Sequence, residues 1–164
     1  MMTRRNTLFS LGAVAAAIAG VRGLFEPTVA HATQVFPYVK TNAEWKKMLT
    51  ADQYQVLRKA GTERPYSSPL NKEKRTGNFA CAGCAQALFA SSTKFESGTG
   101  WPSFFEPIAK QAVVEDSDVT LGMKRTEVLC SNCGGHLGHV FDDGPKPTGL
   151  RYCMNGVAMN FKAA

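Results

Sequence analysis

The sequence predicts a mainly β fold built from antiparallel strands and preceded by two short helices. The first observation is that short β-prone runs after residue 78 are separated by Gly, Pro, Asn and Asp, without helical spacing of the apolar residues. The second is that two segments before residue 62 start with helix-capping residues. The third is that four of the five cysteines form two Cys-x-x-Cys pairs, which can join distant segments.

Each predicted helix starts with a threonine that is followed three residues later by Glu or Gln, which is the spacing of a capping box. The two pairs are Thr41 with Glu44 and Thr50 with Gln53. We therefore predict helices at 42–49 and 51–60, the second of which stops at Gly61. Their apolar residues are expected to pack on the β body: Trp45, Leu49, Tyr54 and Leu57.

Five short runs are predicted as strands because they alternate in polarity or are rich in β-prone residues. They are Val113–Glu115, Val119–Leu121, Glu127–Cys130, His139–Phe141 and Tyr152–Met154. The segment "LGM" at 121–123 suits a hairpin turn.

An apolar run rich in small residues follows a basic start in "MMTRRNTLFSLGAVAAAIAG" and predicts an export signal over residues 1–32. Ala30 and Ala32 fit a signal-peptidase site, and Arg4-Arg5 is the twin-arginine form. The alternatives are a membrane-anchored start and an ordinary secretion signal with a chance arginine pair. We expect twin-arginine export of the folded protein to the periplasm.

The remaining chain is predicted to hold a leader at 33–40 and one domain at 41–164, which agrees with the total of 164 residues. No stretch is apolar enough for a permanent membrane span. Without residues 1–32, which hold three arginines and one glutamate, the net charge falls from +6 to +4. Because the basic residues are not interleaved with aromatic ones, we expect no nucleic-acid partner. We expect a monomer.

The two Cys-x-x-Cys pairs, Cys81/Cys84 and Cys130/Cys133, predict one tetrahedral Zn²⁺ site with four thiolate ligands. Because 45 residues separate the pairs, the ion would close a long loop. Four thiolates leave no position for water or substrate, so its role is expected to be structural. Disulfides, redox-active dithiols and a nucleic-acid-binding zinc ribbon are the alternatives.

The fifth cysteine, Cys153, has no partner of this kind and is a candidate nucleophile. A cysteine beside a cation ionises more readily, and the thiolate is the reactive form. Arg151 and Asn155 lie two residues away on either side, on the same face of a predicted strand. His136 and His139 are the two histidines outside the export signal, and they are candidates to face Cys153.

Other interpretations of these residues remain open. Cys153 is equally consistent with a buried, inert thiol. The histidines are alternatively additional metal ligands or hydrogen-bonded core residues. Trp101, between Gly100 and Pro102, is by itself typical of a core aromatic residue.

Five long blocks then occur in order: "GTERPYS" (61–67), "TKFESGTGW" (93–101), "SGTGWPSF" (97–104), "CSNCGGHLGHVFDDGP" (130–145) and "TGLRYCMNG" (148–156). Together they resemble the signature blocks of the methionine-R-sulfoxide reductases, the B-type family. The resemblance covers about 41–162, which is nearly all of the predicted domain. It implies antiparallel sheets of the Mss4-like or β-tent type, with the structural zinc.

The resemblance also implies an enzyme, a peptide-methionine (R)-S-oxide reductase that repairs oxidised proteins. By position in the blocks, Cys153 is the nucleophile, and His136, His139 and Asn155 bind and protonate the sulfoxide oxygen. Trp101 packs on the substrate methyl group. The product on the enzyme is a sulfenic acid, which another thiol must reduce. Arg151 is placed around the active site.

The sequence departs from the family pattern at two positions. Many relatives have a resolving cysteine where this chain has Thr99, and the other four cysteines are assigned to zinc. We therefore expect a one-Cys enzyme that is reduced by an external thiol, either a thioredoxin-like protein or a small molecule. Relatives usually have serine at Gly156, so Asn155 next to it is expected to be held less firmly. The alternative function is a non-catalytic zinc-ribbon binding module.

Overall fold

The computed structural model describes residues 34–119 and 125–164. The predicted export signal, Thr33 of the leader and the predicted turn at 121–123 lie outside the described residues. Among the described residues, no helix has the length and apolar character that crossing a membrane requires.

Two helices open the domain, α1 (Asn42–Met48) and α2 (Ala51–Lys59), and each ends one residue before its predicted end. Both predicted capping boxes are present, with each threonine side chain accepting from the main-chain N–H three residues later. The predicted apolar contacts are confirmed for Trp45, Leu49 and Leu57, which are buried, while Tyr54 packs at the edge of the core.

The residue that ends α2 in the left-handed conformation is Ala60, with φ of 50°, and not the predicted Gly61. Gly61 has a different reason to lack a side chain. A Cβ at this position would lie 2.9 Å from the carbonyl oxygen of Gln55, to which the Gly61 N–H donates.

Nine strands, all paired antiparallel, form two sheets in the described part of the chain. The strands are β1 (Gly77–Cys81), β2 (Ala87–Ala90), β3 (Lys94–Phe95), β4 (Ser103–Phe104), β5 (Val113–Asp118), β6 (Arg125–Cys130), β7 (His136–Phe141), β8 (Arg151–Met154) and β9 (Met159–Ala163). The order is β2-β1-β9 in the small sheet and β3-β4-β8-β7-β6-β5 in the large one. The predicted mainly β, antiparallel fold class is therefore confirmed.

Four of the five predicted strands lie inside β5, β6, β7 and β8, each of which is longer than predicted. The fifth, Val119–Leu121, is not confirmed. Val119 follows the end of β5 and is exposed, and the other two residues lie outside the described part.

Aromatic side chains pack the small sheet against the large one. Phe89 of β2 stacks on Phe104 of β4 with ring centroids 4.4 Å apart, and Phe79 of β1 meets the same ring edge-on at 4.9 Å. All three side chains are fully buried. Such aromatic contacts stabilise a core beyond the area they bury.

The register of the large sheet places four polar side chains in one line across neighbouring strands. Cys153 is paired with Ser103 on one side and with His139 on the other, and His139 is paired with Glu127. Residues that oppose each other on antiparallel strands project from the same face of the sheet. We call Ser103, Cys153, His139 and Glu127 the cross-sheet row.

Candidate metal centre and active site

The four paired cysteines meet in one place, although they come from segments 45 residues apart. Their sulfur atoms all lie within 4.8 Å of one another, with Cys81 Sγ 3.7 Å from Cys133 Sγ and Cys84 Sγ 3.5 Å from Cys130 Sγ. None of them is in a disulfide. We call these four residues the cysteine cluster.

The two turns that carry the cysteine cluster have the same backbone hydrogen bonds. The N–H four residues after the first cysteine donates to its carbonyl, from Ala85 to Cys81 and from Gly134 to Cys130, at 2.8 Å in both. Ala85 and Gly134 are both left-handed, with φ of 61° and 65°. Each turn therefore presents its two thiols in the same way, which suits two turns that share one tetrahedral ion.

The distances in the cysteine cluster fit a metal ion. A tetrahedral ion with four sulfur ligands at about 2.3 Å needs neighbouring sulfurs about 3.8 Å apart, close to the two separations given above. Cys81 ends β1 of the small sheet and Cys130 ends β6 of the large one, so an ion here would join the two sheets.

A cleft of about 130 Å³ opens beside the cross-sheet row. Four predicted site residues line it: Trp101, His139, Cys153 and Asn155. They come from three separate segments of the chain. His136 and Arg151, the other two predicted residues, do not line the cleft but contact those that do.

Cys153 is half-buried, with polar groups on both sides. The Thr99 hydroxyl lies 3.8 Å from its Sγ, and Thr99 is linked through Ser97 to Ser103 by hydroxyl bonds of 2.8 and 2.7 Å. The competing interpretation of an inert thiol sealed in apolar packing therefore does not fit its surroundings.

Arg151 contacts Cys153 from outside the cleft. Its guanidinium donates twice to Asp143, at 2.8 Å each, and lies over the Phe141 ring. The bond to Asp143 raises the pKa of Arg151, burial opposes the rise, and the neighbouring Cys153 side chain adds to it. The predicted alignment of three residues on one strand is only partly correct, because β8 ends at Met154 and Asn155 belongs to the following turn.

His139 donates a hydrogen bond from Nε2 to Asp118 at 2.8 Å, because a carboxylate only accepts. The same carboxylate accepts from Arg125 at 2.7 Å. Burial lowers the pKa of His139 below its ordinary value of 6.5, against the opposing effect of the Asp118 bond. His139 is therefore mainly neutral at pH 7, and its Nδ1 is left as a proton acceptor.

His136 lies behind His139, with ring centroids 5.4 Å apart. Its Nδ1–H donates to Glu127 at 2.5 Å, while its Nε2 is buried and has no hydrogen-bond partner among the described residues. Positions three apart on a regular strand face opposite ways. Here the pairing of β6 and β7 shifts between Gly138 and His136, and the extra residue, Leu137, lets both rings approach.

Asn155 and Trp101 are held by the same residue, Glu63. The Glu63 main-chain N–H donates to Asn155 Oδ1 at 3.0 Å, and the Trp101 indole donates to the Glu63 carbonyl at 3.1 Å. Asn155 Nδ2 donates to the Leu137 carbonyl at 3.0 Å, so its amide is fixed at both ends. The expectation that Gly156 leaves Asn155 loosely held is therefore wrong.

Serine does not fit at Gly156, because Ser68 fills the space beside it. A Cβ at position 156 would lie 2.5 Å from Ser68 Cβ and still closer to its hydroxyl. We expect Gly156→Ser to lower the free energy of unfolding by about 1–3 kcal/mol, as overpacking does. Chemical denaturation measures this loss.

The control for this prediction is the pair Gly156→Ser and Ser68→Gly. Because the second change removes the obstruction, the double variant should lose less stability than the sum of the single variants. Full stability of Gly156→Ser alone would contradict the steric explanation.

Several residues of the site were not predicted from the sequence. Thr62, Arg125, Gly138 and Phe141 also line the cleft, and Asp118 and Glu127 hold the two imidazoles. The sequence signal that could have found part of this set is the spacing of Arg125 and Glu127. Residues two apart on a strand share a face, so both were candidates for the face that carries the site. No sequence signal indicates which strand Asp118 pairs with.

Comparison with known proteins identifies the family of this chain. The family model described as the SelR domain matches residues 49–163. The chain is 58% identical over 123 residues to the peptide methionine sulfoxide reductase MsrB of Methanosarcina barkeri, which covers 75% of this chain and 87% of that protein. The proteins of the same name from Agrobacterium fabrum and Leptospira interrogans are 55% and 52% identical, over 75% of this chain and 91% and 94% of their own lengths. The chain therefore belongs to the SelR family, the methionine sulfoxide reductases of the MsrB type.

Proposed function

We propose that this protein reduces the R epimer of methionine sulfoxide in oxidised proteins and peptides, with Cys153 as the nucleophile. The observation that carries the proposal is the cleft in which Cys153, His139, Asn155 and Trp101 meet. A non-catalytic binding module has no need to bring a thiol, an imidazole and an amide to one concave surface.

The proposed reaction begins with transfer of the Cys153 proton to Nδ1 of His139, directly opposite on β7. The resulting thiolate is stabilised by the guanidinium of Arg151. The imidazolium then supplies a proton to the sulfoxide oxygen as negative charge builds there. Asn155 assists through the second hydrogen of its amide group, and His136 supports His139 from behind through the contact between their rings.

In the chemical step, the thiolate attacks the sulfoxide sulfur and the oxygen passes to Cys153. The S–O bond of the substrate breaks, the thioether leaves as methionine, and Cys153 becomes a sulfenic acid. The sulfoxide gains two electrons and Cys153 loses two. Two equivalents of an external thiol then return Cys153 to the thiol form, releasing water and a disulfide.

Trp101 provides the basis for selecting one epimer. Its half-buried indole offers an apolar face to the S-methyl group, while His139 and Asn155 take the oxygen. A sulfoxide of the opposite configuration cannot place both groups correctly at the same time. The R preference itself comes from the family resemblance.

The assay that tests this function mixes the protein with dabsyl-methionine sulfoxide and dithiothreitol and separates the epimers by chromatography. We expect loss of the R epimer with formation of dabsyl-methionine, and no loss of the S epimer. Absence of turnover by the intact, metal-containing protein would refute the proposal, and consumption of both epimers would refute the assigned stereochemistry.

Thr99 is the basis for proposing a one-Cys mechanism. Its hydroxyl lies next to Cys153 but cannot form a disulfide. The other cysteines lie in the cysteine cluster, and using them as resolving thiols would dismantle it. We propose a thioredoxin-like protein or a small thiol as the reductant.

Thr99→Cys should convert the protein to a two-Cys enzyme, because it places a thiol beside the nucleophile. After one equivalent of substrate, intact mass spectrometry should find the variant lighter by two hydrogens, as a disulfide, and the wild type heavier by one oxygen, as a sulfenic acid. Thr99→Ser is the matched control and should behave like the wild type. A disulfide to Cys153 in the wild type would contradict the one-Cys mechanism.

We propose Zn²⁺ as the ion of the cysteine cluster, because four thiolates are the set that structural zinc prefers. When bound, the ion would cross-link the two sheets and take no part in the reaction. We propose, from the predicted twin-arginine signal over residues 1–32, that the enzyme repairs oxidised envelope proteins in the periplasm. We expect the enzyme to act as a monomer.

A further inference from the structure

We propose that Glu63 is a positioning residue that holds the two sides of the cleft in register. The proposal rests on the reductase function proposed above. Glu63 is proposed to position the residues that touch the substrate and not to touch the substrate itself. Glu63 itself does not line the cleft, although Thr62 before it does.

The main chain of Glu63 links Asn155 to Trp101. Asn155 is proposed to bind the sulfoxide oxygen, and Trp101 is proposed to bind the methyl group. The Glu63 N–H donates to Asn155 and the Glu63 carbonyl accepts from Trp101. Asn155 and Trp101 are otherwise on separate segments. A displacement of Glu63 would therefore move both sides of the cleft.

The N–H of Glu63 also decides which way the Asn155 amide faces. Asn155 Oδ1 must point to this donor, and Nδ2 must point to the Leu137 carbonyl. An amide group has two N–H hydrogens, so one stays available for the substrate oxygen. With the amide reversed, a carbonyl oxygen would face the sulfoxide oxygen and repel it.

The carboxylate of Glu63 fixes the position of its own main chain. It accepts from Gly156 N at 2.5 Å and Val157 N at 3.0 Å, which are the first N–H groups after Asn155. The contacts form a closed ring. The main chain of Glu63 binds the side chain of Asn155, and the side chain of Glu63 binds the main chain that follows Asn155. Burial raises the pKa of Glu63, and the two N–H bonds oppose the rise.

Glutamine cannot replace this group. Two donors, Gly156 N–H and Val157 N–H, converge on the two carboxylate oxygens, whereas glutamine has one oxygen and one NH₂ group. The NH₂ group would face one of the two N–H donors, and two donors repel. Glu63→Gln should therefore push the 156–157 main chain and Glu63 apart while keeping the side-chain volume.

The test compares Glu63→Gln with wild type and with Glu44→Gln. Glu44 is a matched control because it also accepts two bonds, from the main-chain N–H and hydroxyl of Thr41, but lies on α1, outside the cleft. We expect Glu63→Gln to lower kcat by up to about 100-fold and to raise KM, as small misplacements of reacting groups do. Glu44→Gln should retain the wild-type kcat and KM.

KM separates positioning from stability. A smaller folded fraction lowers kcat in proportion and leaves KM unchanged, so a rise in KM indicates displaced binding groups. Wild-type kcat and KM in Glu63→Gln would overturn the proposal, as would a loss of kcat alone that matches a smaller folded fraction. If Glu63→Gln does not fold, Glu63→Asp is measured instead. Its carboxylate is one methylene too short to reach both donors, so wild-type kinetics in this variant would overturn the proposal.

A second readout does not depend on activity. The chain has two tryptophans, so a ¹H–¹⁵N spectrum has two indole signals. Glu63→Gln should shift the signal of Trp101, assigned by Trp101→Phe, and Glu44→Gln should not. If the wild type fails to reduce methionine sulfoxide, the proposed function fails, and this shift alone then decides whether Glu63 positions Trp101. An unchanged Trp101 signal would overturn the proposal.

Discussion

Replacing Cys153 with serine is expected to abolish methionine sulfoxide reduction, lowering kcat/KM at least about 1,000-fold, as removal of a nucleophile does in other enzymes. A serine hydroxyl does not ionise at neutral pH and cannot hold the oxygen as a sulfenic acid. Single-turnover assays with the R epimer of dabsyl-methionine sulfoxide measure the change. They remove any dependence on the external thiol.

The fold of this variant should be unaffected, because Cys153 is half-buried and serine is close to it in size. Its denaturation midpoint and metal content should therefore equal those of the wild type. Full turnover by Cys153→Ser would contradict the proposed mechanism and would favour a reaction at another thiol. Intact mass after substrate, with no added oxygen on the variant, is an independent check.

Replacing Cys130 with serine is expected to have the largest effect on stability. Cys130 is fully buried, and its loss would leave three thiolates for the ion and a hydroxyl in an apolar site. Structural zinc sites contribute about 10–16 kcal/mol of binding free energy in small domains, which exceeds the whole stability of most domains. Even a loss of about 5 kcal/mol in the free energy of unfolding should lower the thermal midpoint by roughly 20 °C. Most molecules of the variant should then be unfolded at 37 °C.

Cys153→Ser is the matched control, because it is the same substitution outside the cysteine cluster. Metal analysis should find about one zinc per chain in the wild type and in Cys153→Ser, and less in Cys130→Ser. A chelator should unfold the wild type, and added Zn²⁺ should restore it. A wild type that retains its fold without any metal would contradict the structural role of the cluster.

Local features were predictable from the sequence because they depend on neighbouring residues. The capping boxes of α1 and α2 need only a threonine and a Glu or Gln three residues later, and both formed as predicted. The two Cys-x-x-Cys turns have the same hydrogen bonds because their spacing is the same. The end of α2 at Lys59, with Ala60 left-handed after it, was missed because a glycine was available at the next position.

The active site was predictable only in part. The family resemblance identified Cys153, His139, Asn155 and Trp101, and the structure brings all four to one cleft. The resemblance did not indicate that Arg151 pairs with Asp143, outside the cleft, or that Ser68 occupies the space beside Gly156. Both are contacts between segments, and no local pattern encodes them.

The sequence by itself determined the helices, the β character of the body and the pairing of the cysteines into two equivalent turns. Tertiary structure alone decided that Ser103, Cys153, His139 and Glu127 stand in one row, and that Glu63 reaches Asn155 across 92 positions of the chain. The physical reason is register. A shift of one residue in any strand pairing would turn these side chains to the opposite face, and only the packing of the whole core selects the pairing that is found.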